Sequence, residues 1–243
     1  MTRERVAVYL LFFLSGTAIG TWTARIPAIK ERLGLGDGQL SLALLAVAAG
    51  AVVGMTAVGR LVDRYGSSRA VVPAALAQGV VLVPPAYAPD LLTLSATLLV
   101  FGVVHGILDV AMNANAVEVE RAHGRPIMSS FHAVYSVGGF AGATAGGLFA
   151  HHDLSAAVTF WAVGAGIAAL AAWAARWALR SAPAGESAAR GLPGGRGASC
   201  SWACWRSAAW WARGPRPTGA RSTCARTWRP RRGSPRPGTR PSP

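Results

Sequence analysis

The sequence predicts an all-α membrane protein: a bundle of six transmembrane helices over residues 1–180, followed by a basic tail over 181–243. Three observations carry this. Six long, nearly uncharged segments recur in the first part of the chain. Each approaches the ~20 apolar residues that a helix needs to cross a ~30 Å hydrocarbon core. Positive charge gathers on alternate loops between them, as it does on the cytoplasmic side of membrane proteins. Lipid admits no backbone with unpaired polar groups, so lipid-facing segments of this composition must be helices.

The first span is Val6–Trp22. Its start, "MTRERVAVYLLFFLSG", has the basic opening and apolar run of a signal peptide, but the run continues and five more spans follow, so it reads as a membrane helix. The second, Leu40–Val58, carries Gly50 and Gly54. The third, Ala70–Tyr87, is short and holds Pro73, Pro84 and Pro85, which a membrane helix tolerates better than a soluble one. The fourth is Leu91–Val117. The fifth, Phe131–Ala150, spaces Gly138, Gly142 and Gly146 by four, a stripe without side chains that lets backbones approach in lipid. The sixth is Ala156–Leu179. The links Ala88–Asp90 and His151–Leu154 are short, which makes the helices they join antiparallel neighbours.

Arg3, Arg5, Arg60, Arg64, Arg69, Arg121, Arg125, Arg176 and Arg180 fall on one set of loops, and only Arg25, Lys30 and Arg32 on the other. The first set, with the N-terminus, is therefore expected in the cytoplasm. The fourth span reads "FGVVHGILDVAMNANAVEVER" and places Asp109, Asn113 and Asn115 in an apolar run. A charge at membrane depth is costly and faces a water-filled cavity or a partner. Asp109 and Asn113 are four apart and share a helix face, which Gly102 and Gly106 extend as a smooth wall. Desolvation disfavours a carboxylate's charge, so this residue type suits taking up a proton on one side and releasing it on the other. A quiet pairing of Asp109 with a neighbouring helix is the structural alternative. Arg25 either binds an anionic solute at the mouth or snorkels toward headgroups. Glu118, Glu120, Arg121 and Arg125 read as a cytoplasmic ion-pair cluster.

The tail holds 9 of the 15 prolines, 12 arginines and one acid, Glu186, so +11 of the net +14 lies there. Taken literally, it is disordered and basic, suited to anionic lipid, and it has no motif for nucleic acid. Cys200 and Cys204 have no partner His in the tail, so no zinc site is expected, nor any other cofactor. Its many Cys, Trp and Ser codons are those that Leu codons of a GC-rich gene yield one frame off. Re-reading from Ala198 in another frame, with degenerate bases chosen, returns an apolar helix. The tail is accordingly expected to be out of frame and the chain a truncated half of a longer protein. No phosphate-binding loop or catalytic triad is visible, and the chain is not expected to be an enzyme.

After the second span the chain reads "GRLVDRYGSSR", in which Gly59, Asp63, Arg64, Gly66 and Arg69 resemble the signature of the major facilitator superfamily. The resemblance implies a cytoplasmic gating latch, with Asp63 accepting charge-assisted hydrogen bonds; a helix end anchored in headgroups is the plain alternative. "GTWTARIPAIKERLG", "GILDVAMNANAVEVER" and "RPIMSSFHAVYSVGG" are similar to the sugar-permease-like branch related to fucose–proton symporters. That branch implies a bacterial-type inner membrane, alternating access, a small sugar-like solute and proton coupling. It sets an acidic residue and Asn four apart in helix four, matched by Asp109 and Asn113. In helix five it sets a polar residue, then Asn-Ser, then Gly, matched by His132, Tyr135-Ser136 and Gly138, with Tyr135 in place of the amide. His132 could equally serve packing. Expected partners are the bilayer, the solute, protons and, for a half-bundle, further copies of itself. The competing reading is an inactive half-protein serving only as a membrane assembly partner.

Overall fold

A computed structural model describes the backbone of residues 2–65 and 67–178, with side chains described except those of residues 60–69, 177 and 178. The tail over 181–243, with its expected disorder and frame change, lies outside the described residues. Within them there are six α-helices and no strand: α1 (Arg3–Leu33), α2 (Asp37–Tyr65), α3 (Ser67–Val81), α4 (Leu91–His123), α5 (Met128–His151) and α6 (Ala156–Ala178), with a 3-10 turn at Pro84–Tyr87 between α3 and α4. All six spans are long and apolar enough to cross a membrane, the third counted from Ala70 to Tyr87.

Two boundaries differ from the sequence reading. Arg25, Lys30 and Arg32, expected on a loop, all lie inside α1, which runs 31 residues through Pro27 and ends on Gly34 at φ 61. A left-handed residue is the usual helix stop, and glycine reaches it without strain. Cations in the last turn also suit the negative end of the helix dipole. The third span is helical only to Val81, and Pro84 and Pro85 then open the 3-10 turn. Proline lacks the N–H that an α-helix would need there. At the start of α4, the Asp90 carboxylate accepts the Thr93 N–H at 2.8 Å, and that backbone bond holds Asp90 below its ordinary carboxylate range.

The helices pair as α1 with α5, α2 with α4, and α3 with both α4 and α6. Lipid tails are as apolar as leucine, so no hydrophobic force drives such pairs together; close backbone contact must. The chain supplies it reciprocally. A Cβ on Gly16 or Gly20 of α1 would collide with the carbonyl oxygens of Tyr135 or Gly139 on α5, and one on Gly138 or Gly142 would strike those of Phe13 or Thr17 on α1. Thr21 adds a hydrogen bond from its hydroxyl to the Gly142 carbonyl, 3.2 Å. Gly50 and Gly54 of α2 meet Leu99 and Val103 of α4 in the same manner, answered by Gly102 and Gly106 against Val47 and Ala51. Gly79 and Gly164 repeat the device between α3 and α6, where an added Cβ on either would lie 2.5 Å from the other's carbonyl.

The stripe on the fifth helix thus has a partner, α1. Gly102 and Gly106, expected to wall a cavity beside Asp109, are instead the contact with α2. The short link between α5 and α6 also does not make them close packing partners: α5 lies on α1, while α6 lies on α1 and α3. A short loop fixes direction, and the small-residue faces decide contact.

Two α1 arginines hold the links at the opposite end of the bundle from the N-terminus. Arg32 donates to the carbonyls of Ala86 and Ala88, the latter at 3.0 Å, and Arg25 donates to that of Leu154. At the same end the Trp161 indole N–H reaches the Tyr87 hydroxyl at 3.0 Å.

Gly20→Ala is expected to destabilise the bundle by about 1–3 kcal/mol through overpacking. Gly147→Ala, where an added Cβ meets nothing within 4 Å, should not destabilise it. Thermal unfolding of the purified full chain in detergent checks the contrast, and equal melting of the two variants would remove the contact's claimed role.

Candidate functional site

The site is built on the middle of α4. Ile107 is the midpoint of Leu91–His123, and His105, Asp109 and Asn113 follow at intervals of four around it. Residues four apart stack on one face, and helical side chains lean toward the N-terminus. Asn113 does so: its Nδ2 donates to the Asp109 carbonyl at 2.8 Å and to Asp109 Oδ1 at 3.3 Å. Both side chains are half-buried, and Asn115, on another face, is fully buried.

The structure brings two more groups toward Asp109. Tyr135 of α5 is half-buried, and His105 lies one turn before Asp109 on α4. The His105 ring stacks on Phe101, centroids 6.0 Å apart and planes at 8°. Phe101 in turn meets Trp22 of α1 at 6.4 Å, and Trp22 meets Phe160 of α6 at 6.1 Å. His105 is therefore joined to an aromatic cluster through Phe101. His105 Nδ1 is buried with no hydrogen-bond partner among the described residues. Sequence reasoning missed His105, although its spacing of four from Asp109 was the available signal.

The other site residues lie elsewhere. His132 is exposed near the start of α5 and meets Phe12 edge-on at 5.3 Å. Ser136, also exposed, donates to the His132 carbonyl at 3.2 Å, so its hydroxyl is satisfied by its own helix. Arg25 does not snorkel outward. It is 3% exposed, with its guanidinium turned in to the Leu154 carbonyl and its Nε buried without a partner among the described residues. A carbonyl on the link after α5 replaces the water that snorkelling would seek. Counted from the Trp22–Phe101 contact at 1.5 Å per residue, Arg25 and Asp109 are separated by roughly 15 Å along the axis.

At the N-terminal end of the bundle Glu120, one member of the expected cluster, forms a cap. Glu120 accepts the N–H groups of Ile127 and Met128 at 2.7 and 2.6 Å, placing a carboxylate at the positive start of α5. Tyr9 and Ser130 share a hydrogen bond of 2.7 Å, and Arg5 reaches Tyr9 at 3.5 Å and His123 at 3.3 Å. Of the gating motif, Gly59 sits in α2 with open space around it; the side chains of Asp63, Arg64 and Arg69, and Gly66, lie outside the described residues. Among the described residues no three His, Cys, Asp or Glu side chains gather as a metal site would require.

Comparison with known proteins completes the picture. The chain is 42% identical over 144 residues to an uncharacterised MFS-type transporter of Yersinia pestis, covering 58% of this chain and 36% of that protein. It is 40% identical over 135 residues to an uncharacterised transporter of Sinorhizobium fredii, covering 56% and 36%. It is 33% identical over 136 residues to the membrane protein MosC of Rhizobium meliloti, covering 56% and 33%. The chain thus spans about a third of the length of these relatives. Residues 8–235 match the family model of the Major Facilitator Superfamily. With that match lying over six membrane-length helices, the chain is an integral membrane protein that belongs to the Major Facilitator Superfamily.

Proposed function

We propose that the chain serves secondary transport of a small polar, sugar-like solute across a bacterial-type inner membrane, by alternating access and coupled to protons. One observation carries the reading. Asp109 is the only acid near the middle of any span, it is half-buried, and it shares its face with Asn113. A carboxylate kept at that depth is functional by default. Transporters of this general design place solute and coupling-ion sites near the midplane, and two relatives are themselves named as transporters. Asp109 carries the proton; Asn113 orients it through the 3.3 Å bond. Tyr135, Ser136 and His132 of α5 offer hydroxyl and imidazole groups to a polar solute. Arg25, held by Leu154, supports the link between α5 and α6 rather than contacting solute. Asp63 and its neighbours Gly59, Arg64, Gly66 and Arg69 act as the latch on the cytoplasmic face, where the N-terminus also lies.

A second reading is a membrane assembly partner that does not itself transport.

Both readings meet in one assay. Vesicles bearing the full chain are energised by a pH gradient, and uptake of a panel of labelled hexoses and deoxyhexoses is followed. Proton-coupled transport is expected to accumulate at least one sugar, and Asp109→Asn to reduce its level inside to that outside. Exchange without a gradient should survive, since Asn mimics the protonated acid. Accumulation that persists in Asp109→Asn removes the proton role, and no uptake of any sugar favours the assembly partner.

Asp63→Asn tests the latch. It is expected to slow uptake several-fold while leaving the amount of inserted protein unchanged on blots of washed membranes. Transport at the native rate would leave the motif a plain helix end.

A further inference from the structure

We infer that His105 is the second member of the proton site, sharing one proton with Asp109 across a single helical turn. The inference rests on reading Asp109 as the proton-bearing group and deepens it.

Few titratable groups face the pair. Helices α2, α3 and α6 bring no titratable side chain to the interior: none occurs in residues 40–59, 70–81 or 156–175. From α1, Tyr9 is bonded to Ser130 at the N-terminal end and Arg25 to Leu154 at the other. From α5, His132 is exposed against Phe12. Tyr135 does lie within the field of Asp109, but a phenol ordinarily keeps its proton through the physiological range and so serves as a donor. His105 remains as the one imidazole at mid-depth, and imidazole is the side chain whose ordinary titration falls nearest neutrality.

Placement sets the two groups on neighbouring turns of one helix face. Cβ atoms four residues apart on a helix stand about 5–6 Å from each other. The Asp109 side chain leans toward the turn that carries His105. The imidazole stacks on Phe101, and its Nδ1 is buried without a partner among the described residues. A buried polar atom left unpaired is destabilising. A proton that moves between this ring and the Asp109 carboxylate gives that atom a use.

The step conserves atoms and charge. Empty, the site is a neutral imidazole beside a carboxylate. One proton from water gives either imidazolium with carboxylate or imidazole with carboxylic acid. Passage between these moves that proton from ring nitrogen to carboxylate oxygen with no change in net charge. Release from the carboxylic acid to the other side restores the empty pair.

Groups that share a proton titrate as a pair and displace one another's midpoints by more than about one pH unit. The full chain in lipid nanodiscs can be titrated by difference infrared spectroscopy, with the protonated Asp109 band assigned by its loss in Asp109→Asn. In both His105→Gln and His105→Phe, the midpoint of that band is expected to move by at least about one pH unit. The Phe variant preserves an aromatic stack on Phe101, so a purely structural histidine would leave the midpoint in place there. If either variant fails to fold, nitrogen-15 resonances of His105 in the native chain and in Asp109→Asn read the same coupling from the other partner. Unmoved midpoints overturn the shared site while leaving Asp109 as a lone proton carrier. An Asp109 that never titrates overturns both this inference and the proton role on which it rests.

Discussion

Contact between bare helix backbones organises this bundle. In lipid, two helices gain little by hiding leucines from tails that are equally apolar, so they hold together through van der Waals packing at short range and through polar bonds. Gly16, Gly20, Gly138 and Gly142 supply that for α1 and α5, and Gly50, Gly54, Gly102 and Gly106 for α2 and α4, each set meeting the other's carbonyl oxygens. Gly79 and Gly164 do the same for α3 and α6. The contacts are reciprocal, so removing the clearance on either helix separates both. Bulk is kept for the places where three helices meet, as where Trp22 reaches Phe101 and Phe160.

That arrangement decides where polar groups can go. Gly102 and Gly106 bring α2 against α4 just before Asp109, and Gly138 brings α1 against α5 just after Tyr135. The polar face of α4 therefore begins where the tight contact ends. His105 and Asp109 flank the midpoint of the helix, one against the aromatic cluster and the other bonded to Asn113. The charge thus lies just past the tight contact with α2.

Much of the fold was legible because membrane spans obey a length rule and glycine spacing survives as a pattern in one dimension. The stripe at Gly138, Gly142 and Gly146 announced a contact. It did not name α1 as its partner, since the complementary Gly16 and Gly20 could be matched to it only in space. Gly102 and Gly106 misled for a related reason: a side chain-free face looks the same whether it meets a cavity or a carbonyl. Arg25 misled because charge in sequence suggests water, whereas a carbonyl on the link after α5 serves its guanidinium. Glu120 was legible as an anion but not as the cap of α5, because the N–H groups it accepts follow a turn. Of the candidate site, Asp109 and Asn113 stood out by their cost in an apolar run. His105 did not, since an imidazole in such a run carries no obligatory charge.

The polar ties at the two ends differ in kind. At one end Arg25 and Arg32 hold neutral carbonyls of the links. At the other, Glu120 holds the start of α5, and Tyr9 and Ser130 join α1 to it. None of these groups lies at mid-depth, and each is engaged with backbone or hydroxyl partners. The middle of the bundle holds a single carboxylate, Asp109, since no other acid lies near the centre of a span.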